Sequence, residues 1–320
     1  MIQPLPGEEL PDLFPGFETR YLVCEGTEIY LRLGGNGPPL LLLHGYPQTG
    51  AMWHKVAPEL ARHFTLIIPD LPGYGQSAVP PLSSDHTAYS KREIARTMVA
   101  LMEQLGYSRF SLAGHDRGAR VSYRLALDHP DTLERLAVLD ILPTHTYWAR
   151  MDRAFALKVY HWAFLAQPAP FPEKMIAASA ESFLNHTLAS WTAAKSLDCF
   201  SEGALAHYHA FFAQADRIAA TCEDYRAGAS CDFEHDAVDA AAEKKIKCPT
   251  LALWGQTGIA QASETPLDVW ARWAEVVSGR SIAGGHFIAE ENPGGLLTEM
   301  LPFFKKSGST LWPSLSEITR

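Results

Sequence analysis

Residues 114–118 read GHDRG, and the third of these letters decides how the chain is read. The pattern G-x-S-x-G marks a sharp strand-to-helix turn that lifts a nucleophile clear of a sheet. Here the nucleophile position is Asp116, followed by the fixed positive charge of Arg117. Upstream, FSLAGHD (110–116) is an apolar run of strand type; downstream, RGARVSYRLALDHP (117–130) has the composition of a helix that stops before Pro130.

Outward from this turn the same alternation recurs. PPLLLLHG (38–45) and FTLIIPDLPG (64–73) are continuous apolar runs bounded by Gly and Pro, as expected of strands buried on both faces of a parallel sheet. YSKREIARTMVALMEQLG (89–106) places Ile94, Met98, Leu101 and Leu105 at helical spacing and ends on Gly106. LERLAVLD (133–140) is a further strand, and the rhythm predicts a mostly parallel, helix-flanked α/β sheet. Between 143 and 229 the strands stop. That region is rich in Ala and aromatics, with helical stretches such as ARMDRAFALKVYHWAFLA and EGALAHYHAFFAQA. A helix near DAVDAAAEKKI, a strand PTLALWG (249–255) and a strand-like SGRSIAGGHF (278–287) then resume the pattern. Residues 1–142 and 230–320 are therefore expected to form the core domain. Residues 143–229 are expected to form a helical cap inserted after the sixth strand, over the carboxyl ends where ligands bind in such sheets.

Composition excludes several classes of partner. With 320 residues, 47% of them hydrophobic, the chain can bury a large core without disulfides or metals. A net charge of -9 with no Lys/Arg-rich run argues against nucleic acid. Cys24, Cys199, Cys222, Cys231 and Cys248 are odd in number and lack C-x-x-C spacing, so neither a disulfide framework nor a zinc knuckle is expected. The acidic, Pro-rich MIQPLPGEELPDLFPGFETR differs from a signal peptide, and no apolar stretch is long enough to span a bilayer, so the expected location is the cytoplasm. No internal repeat is visible, and the tail SGSTLWPSLSEITR suggests no role.

HGYP (44–47), DLPGYGQS (70–77), GHDRG and GGHF (284–287) each fall at a strand end, and together they resemble the α/β-hydrolase superfamily over nearly the full chain. Within that resemblance the elbow residue sets the reaction. A carboxylate there attacks saturated carbon, displaces a leaving group and forms an alkyl ester that water must open. His286 is the candidate hydrolytic base. The place after the seventh strand reads WGQTG, with no carboxylate before Glu264, so Asp140 is the expected orienting acid. Backbone N–H groups of Tyr46 and Arg117 are the candidate oxyanion hole. Asp116 could instead be a plain helix N-cap, but a cap does not need Gly114 and Gly118 beside it.

Two enzyme classes on this scaffold use an elbow Asp: epoxide hydrolases and dehalogenases. Epoxides are neutral and gain nothing from Arg117, whereas Arg117 and Arg120, three residues apart, could together grip a substrate carboxylate. An anion approaching Asp116 at about 4 Å would otherwise cost about 4 kcal/mol at an effective dielectric of 20. The leaving group departs into the cap, where His161, Trp162 and Tyr225 offer ring N–H and phenol donors. HDRGAR, LDILPT, YHWAF, YRAG, LWGQTGIAQ and GGHF together resemble fluoroacetate dehalogenases. The resemblance implies Asp116 as nucleophile, His286 with Asp140 activating water, and Arg117 with Arg120 on the substrate carboxylate. It further implies His161, Trp162 and Tyr225 around the halide, Trp148 lining the pocket, no metal or organic cofactor, and a homodimer. The family often has Phe where Tyr46 stands, which bears on pocket shape and not on the backbone donor.

The expected activity is thus hydrolysis of short 2-haloacids, fluoroacetate foremost. An epoxide hydrolase would need cap acids such as Tyr147, Tyr160, Tyr208 or Tyr225. A small-molecule receptor would keep the triad and turn nothing over. Fluoride is small and strongly hydrated, so it needs several short hydrogen bonds as it leaves, each worth about 1.5 to 3 kcal/mol gross. Accordingly, Tyr225→Phe should slow fluoride release far more than chloride release; equal losses on fluoroacetate and chloroacetate would remove Tyr225 from the halide site.

Overall fold

The computed structural model describes residues 10–258 and 264–306. The first nine residues, the last three of LWGQTGIAQ and the tail SGSTLWPSLSEITR lie outside the described residues. Eight strands form one sheet: β1 (Glu18–Cys24), β2 (Thr27–Gly34), β3 (Pro39–Leu43), β4 (Thr65–Pro69), β5 (Phe110–His115), β6 (Leu133–Leu139), β7 (Thr250–Gly255) and β8 (Val277–Ile282). Their order is β1-β2-β4-β3-β5-β6-β7-β8. β3 to β8 are mutually parallel, while β1 and β2 pair antiparallel with each other and β2 runs antiparallel to β4. This is the α/β-hydrolase fold, its mostly parallel sheet flanked by helices.

Every residue of β3, β4 and β5 is buried, which is why their sequences read as unbroken apolar runs. The helix Lys91–Gln104 starts at Ser90, whose side chain accepts the Glu93 N–H at 3.2 Å, and Ile94, Met98, Leu101 and Leu105 all face the core. The β1–β2 hairpin, which the sequence reading passes over, turns at Glu25 and Gly26, both with positive φ. Between β6 and β7 the elements are all helices, from Thr144–Ala149 to Cys231–Ala241. Among the described residues no helix is long and apolar enough to cross a membrane.

Four of the strands deliver the chemistry-bearing loops at their carboxyl ends: His44–Tyr46 after β3, Asp116 after β5, Asp140 after β6 and His286 after β8. β3 is flanked by β4 on one side and β5 on the other, so Tyr46 and Asp116 leave the sheet at its switch point. The turn after β5 is tight: Asp116 has φ +46°, and the helix Asp116–Asp128 begins at once. Gly118 allows this approach, since a Cβ there would lie 2.3 Å from the His44 carbonyl oxygen. Ala would gain about 1 kcal/mol of helix propensity, but its methyl would meet backbone that cannot swing away. Gly118→Ala is therefore expected to destabilise the fold by about 1–3 kcal/mol net, seen as a lower denaturation midpoint at unchanged slope.

Candidate active site

Asp116, Asp140 and His286 come together although they are far apart in sequence. His286 Nδ1 lies 2.6 Å from Asp140 Oδ2, and Asp140 Oδ1 accepts the Gly255 N–H at 2.9 Å. Glu264, the alternative acid, is engaged instead by Arg150 and Arg272. His286 Nε2 stands 3.7 Å from Asp116 Oδ2, too long for a direct hydrogen bond. The Tyr46 N–H donates to Asp116 Oδ1 at 2.9 Å. The Arg117 N–H lies in the first helical turn, where backbone donors have no intrahelical acceptor.

Burial alone would raise the Asp116 carboxyl, but the charges of His286, Arg117 and Arg120 outweigh it and hold Asp116 below the usual carboxylate range. Burial likewise opposes a charged His286, yet the hydrogen bond and charge of Asp140, together with the charge of Asp116, raise the imidazole above its ordinary value. The neighbouring His115 differs: burial pushes it down to about 3, and its Nε2 is bonded to the His286 carbonyl.

The two arginines occupy unlike environments. Arg117 is fully buried; its Nε and Nη2 meet Asp224 Oδ2 and Oδ1 at 2.9 and 2.8 Å, and Nη2 also reaches the Asp224 carbonyl at 2.6 Å. One whole edge of its guanidinium is thus taken by Asp224, where the sequence reading expects Arg117 and Arg120 together to grip the substrate carboxylate. The cause is the helix Ala215–Ala229, which brings Asp224 to the first turn of the elbow helix. Arg120 donates through Nη1 to the Leu142 carbonyl and the Thr144 hydroxyl, both neutral. Its guanidinium lies 4.4 Å from the Trp162 ring centre, and that of Arg117 lies 5.4 Å away.

A cavity of about 320 Å³ opens over Asp116, walled by Arg120, Tyr147, His161, Trp162 and Trp191. Trp148 does not line it, contrary to the sequence expectation. Its indole N–H is bonded to the Gly228 carbonyl at 2.9 Å, and its ring meets Trp162 edge-on at 5.5 Å, so it backs the wall. The Tyr225 ring lies 5.7 Å from that of His161 and 5.8 Å from that of Trp162, and the Asp116 charge acts on its phenol. Burial pushes the Tyr225 phenol well above its ordinary value and pulls His161 down to about 3. His161 is therefore neutral at physiological pH and has a single N–H to give. Tyr225 Oη, His161 Nδ1, Arg117 Nη1 and Arg120 Nε are buried without a protein hydrogen-bond partner.

A family model of the α/β-hydrolase fold matches residues 38–293. The chain belongs to the α/β-hydrolase family. Among its relatives is a fluoroacetate dehalogenase from a Burkholderia species, 42% identical over 88% of this chain and 91% of that protein. A soluble epoxide hydrolase from Corynebacterium is 31% identical over 88% of this chain and 95% of its own length. A Nostoc crystal structure described as an α/β hydrolase superposes with a TM-score of 0.87 at 46% identity, over 91% of this chain and 98% of that one.

Three residues of this α/β hydrolase that the sequence reading did not place at the site are Asp224, Trp191 and Lys158. Trp191 stands edge-on to His286 at 5.3 Å, and its carbonyl accepts the His286 N–H. Lys158 lies in the cavity wall and donates to the Gly258 carbonyl. Nothing in EDYRAG distinguishes Asp224 from a solvated helical acid, so only its partners reveal it. Because the Asp116 charge helps raise His286, Asp116→Asn should lower the His286 pKa, so that the ring loses its proton at a lower pH. Imidazole NMR titration of the two proteins checks this; an unmoved titration would mean that Asp140 alone sets it.

Proposed function

We propose that this hydrolase cleaves the carbon–halogen bond of short 2-haloacids, fluoroacetate foremost, giving glycolate and halide. One observation carries the reading: among the described residues, Tyr225, His161, Arg117 and Arg120 each carry a buried donor-bearing atom without a protein partner, as Tyr46 Oη does beside them, about the buried carboxylate of Asp116. Leaving a buried donor unpaired costs about 1–3 kcal/mol each. A ligand rich in acceptors, with a carboxylate at one end and a forming halide at the other, would satisfy those of Tyr225, His161, Arg117 and Arg120. The similarity to a fluoroacetate dehalogenase supports the same choice.

In the proposed reaction an Asp116 oxygen attacks the carbon bearing the halogen. The C–O bond forms as the C–halogen bond breaks, and the bonding pair leaves with the halide toward His161, Trp162 and Tyr225. Arg120 and the free nitrogen of Arg117 hold the substrate carboxylate. Water then attacks the ester carbonyl, His286 Nε2 takes its proton, and the N–H groups of Tyr46 and Arg117 carry the oxyanion. Cleavage of the Asp116 ester releases glycolate, so that substrate and water yield glycolate, halide and one proton. Asp140 holds the His286 ring so that Nε2 is free to act as base. The reading needs no metal or organic cofactor. It treats residues 143–229 as a cap over a core of 1–142 and 230–320, in a cytoplasmic enzyme that forms a homodimer.

The epoxide hydrolase reading rests on the Corynebacterium relative and on the Tyr147 phenol in the cavity wall. It gives Arg120 no substrate anion to hold, only the charge of Asp116. Two experiments separate the alternatives. Purified protein should release fluoride from fluoroacetate while Asp116→Ala releases none; a wild-type protein inert to haloacids but active on epoxides would reverse the choice. His286→Asn, incubated with fluoroacetate, should accumulate a carboxymethyl adduct on Asp116 by mass spectrometry. Unmodified protein after such incubation would exclude the ester route.

A further inference from the structure

We propose that Asp224 is a positioning residue: it fixes the Arg117 guanidinium in one orientation and thereby couples the helix Ala215–Ala229 to the nucleophile turn. The inference rests on the haloacid reading above. Asp224 is 1% exposed and carries an unusual set of partners. Arg117 meets it through two parallel bonds, a geometry that sets the plane of the guanidinium as well as its position. Tyr74 donates to Oδ2 at 2.8 Å and Lys91 donates to Oδ1, so the carboxylate is itself fixed from the core side. Lys91 is anchored in turn by Asp232 at 3.2 Å.

Three residues of one helix bear on Arg117. Asp224 takes its Nε–Nη2 edge; the Tyr225 ring lies 4.2 Å from its guanidinium carbon; and a Cβ on Gly228 would come within 3.0 Å of Nη2. With that edge occupied, Nη1 is the guanidinium nitrogen left without a protein partner. Arg117 therefore offers substrate one nitrogen, Nη1, in place of its Nε–Nη2 fork. The same helix presents Tyr225, one residue after Asp224, to the halide side. A shift of this helix would move the carboxylate donor and the halide donor together, which would tie recognition of the two ends of the substrate to one rigid element.

A double-mutant cycle tests this, with Arg117→Gln, Asp224→Asn and the pair assayed by fluoride release from fluoroacetate. If Asp224 acts through Arg117, each single change should cut kcat/KM by about tenfold to a hundredfold, chiefly through KM. The pair should then be no worse than Arg117→Gln alone. Losses that multiply in the pair would mean that Asp224 serves only the fold, through Lys91 and Tyr74, and would overturn the proposal. Should Asp224→Asn fail to fold, Asp224→Glu keeps the charge and displaces it by one methylene. A raised KM at an unchanged melting temperature supports the proposal, and wild-type KM overturns it. Wild-type protein that releases no halide from fluoroacetate or chloroacetate would overturn the haloacid reading and this inference with it. Wild-type release with multiplied losses would overturn the inference alone.

Discussion

Asp116 has to leave β5 at a positive φ and enter a helix with no intervening residue, and most of the site follows from that one turn. Its neighbours have to be small: a Cβ on Gly114 would meet Ser122 Oγ at 2.3 Å, and one on Gly45 would meet the Asp116 Cβ at 2.4 Å. The reward for this crowding is position. The turn sets one carboxylate oxygen on the Tyr46 N–H and leaves the other facing His286. A side chain on an ordinary helix N-cap would fold back on its own backbone instead.

A carboxylate so buried is expensive unless neighbouring charge compensates it, and the fold supplies that charge from elements distant in sequence. Asp140 draws positive character onto His286; Arg117 and Arg120 lie beneath the Trp162 ring; Asp224 and Lys91 extend the network into the core. Removing one partner of such a buried pair costs about 3–5 kcal/mol. Stability and site electrostatics therefore share the same residues, and the helices after β6 are tied by charge to the helices Lys91–Gln104 and Asp116–Asp128 that flank the sheet.

The parts of this arrangement that were legible in the sequence are those that depend on chain-local geometry. Buried strands followed by turn residues announce themselves, so β3, β4, β5 and β6, and with them the placement of Asp116 and Asp140 at strand ends, follow from runs such as PPLLLLHG and LERLAVLD, while His286 is marked by GGHF after the strand-like SGRSI. The β1–β2 hairpin was passed over, because β2 buries three consecutive residues, Ile29, Tyr30 and Leu31, and shows no clean alternation. Tyr147 and Trp148 were not separable. They are adjacent on the six-residue helix Thr144–Ala149, about 100° apart around its axis, and one and a half turns carry too little periodicity to fix which ring faces the cavity. Asp224 was invisible for a different reason: its meaning lies in Arg117, 107 residues away.

The same long-range pairing makes the two arginines unequal in a way that residue type could not reveal. The Arg117 charge is paired at short range with Asp224, which Lys91 shares. Arg120 touches only neutral oxygens, the Leu142 carbonyl and the Thr144 hydroxyl, and among the described residues no carboxylate forms a salt bridge with it. Its full charge acts on Asp116 when the site holds no anion and is available to a second carboxylate when one arrives. On the haloacid reading, attraction for the anion belongs mainly to Arg120, while Arg117, gripped along one edge, governs its direction. Charge and orientation are then separate duties, carried by two guanidinium groups one turn apart on the elbow helix.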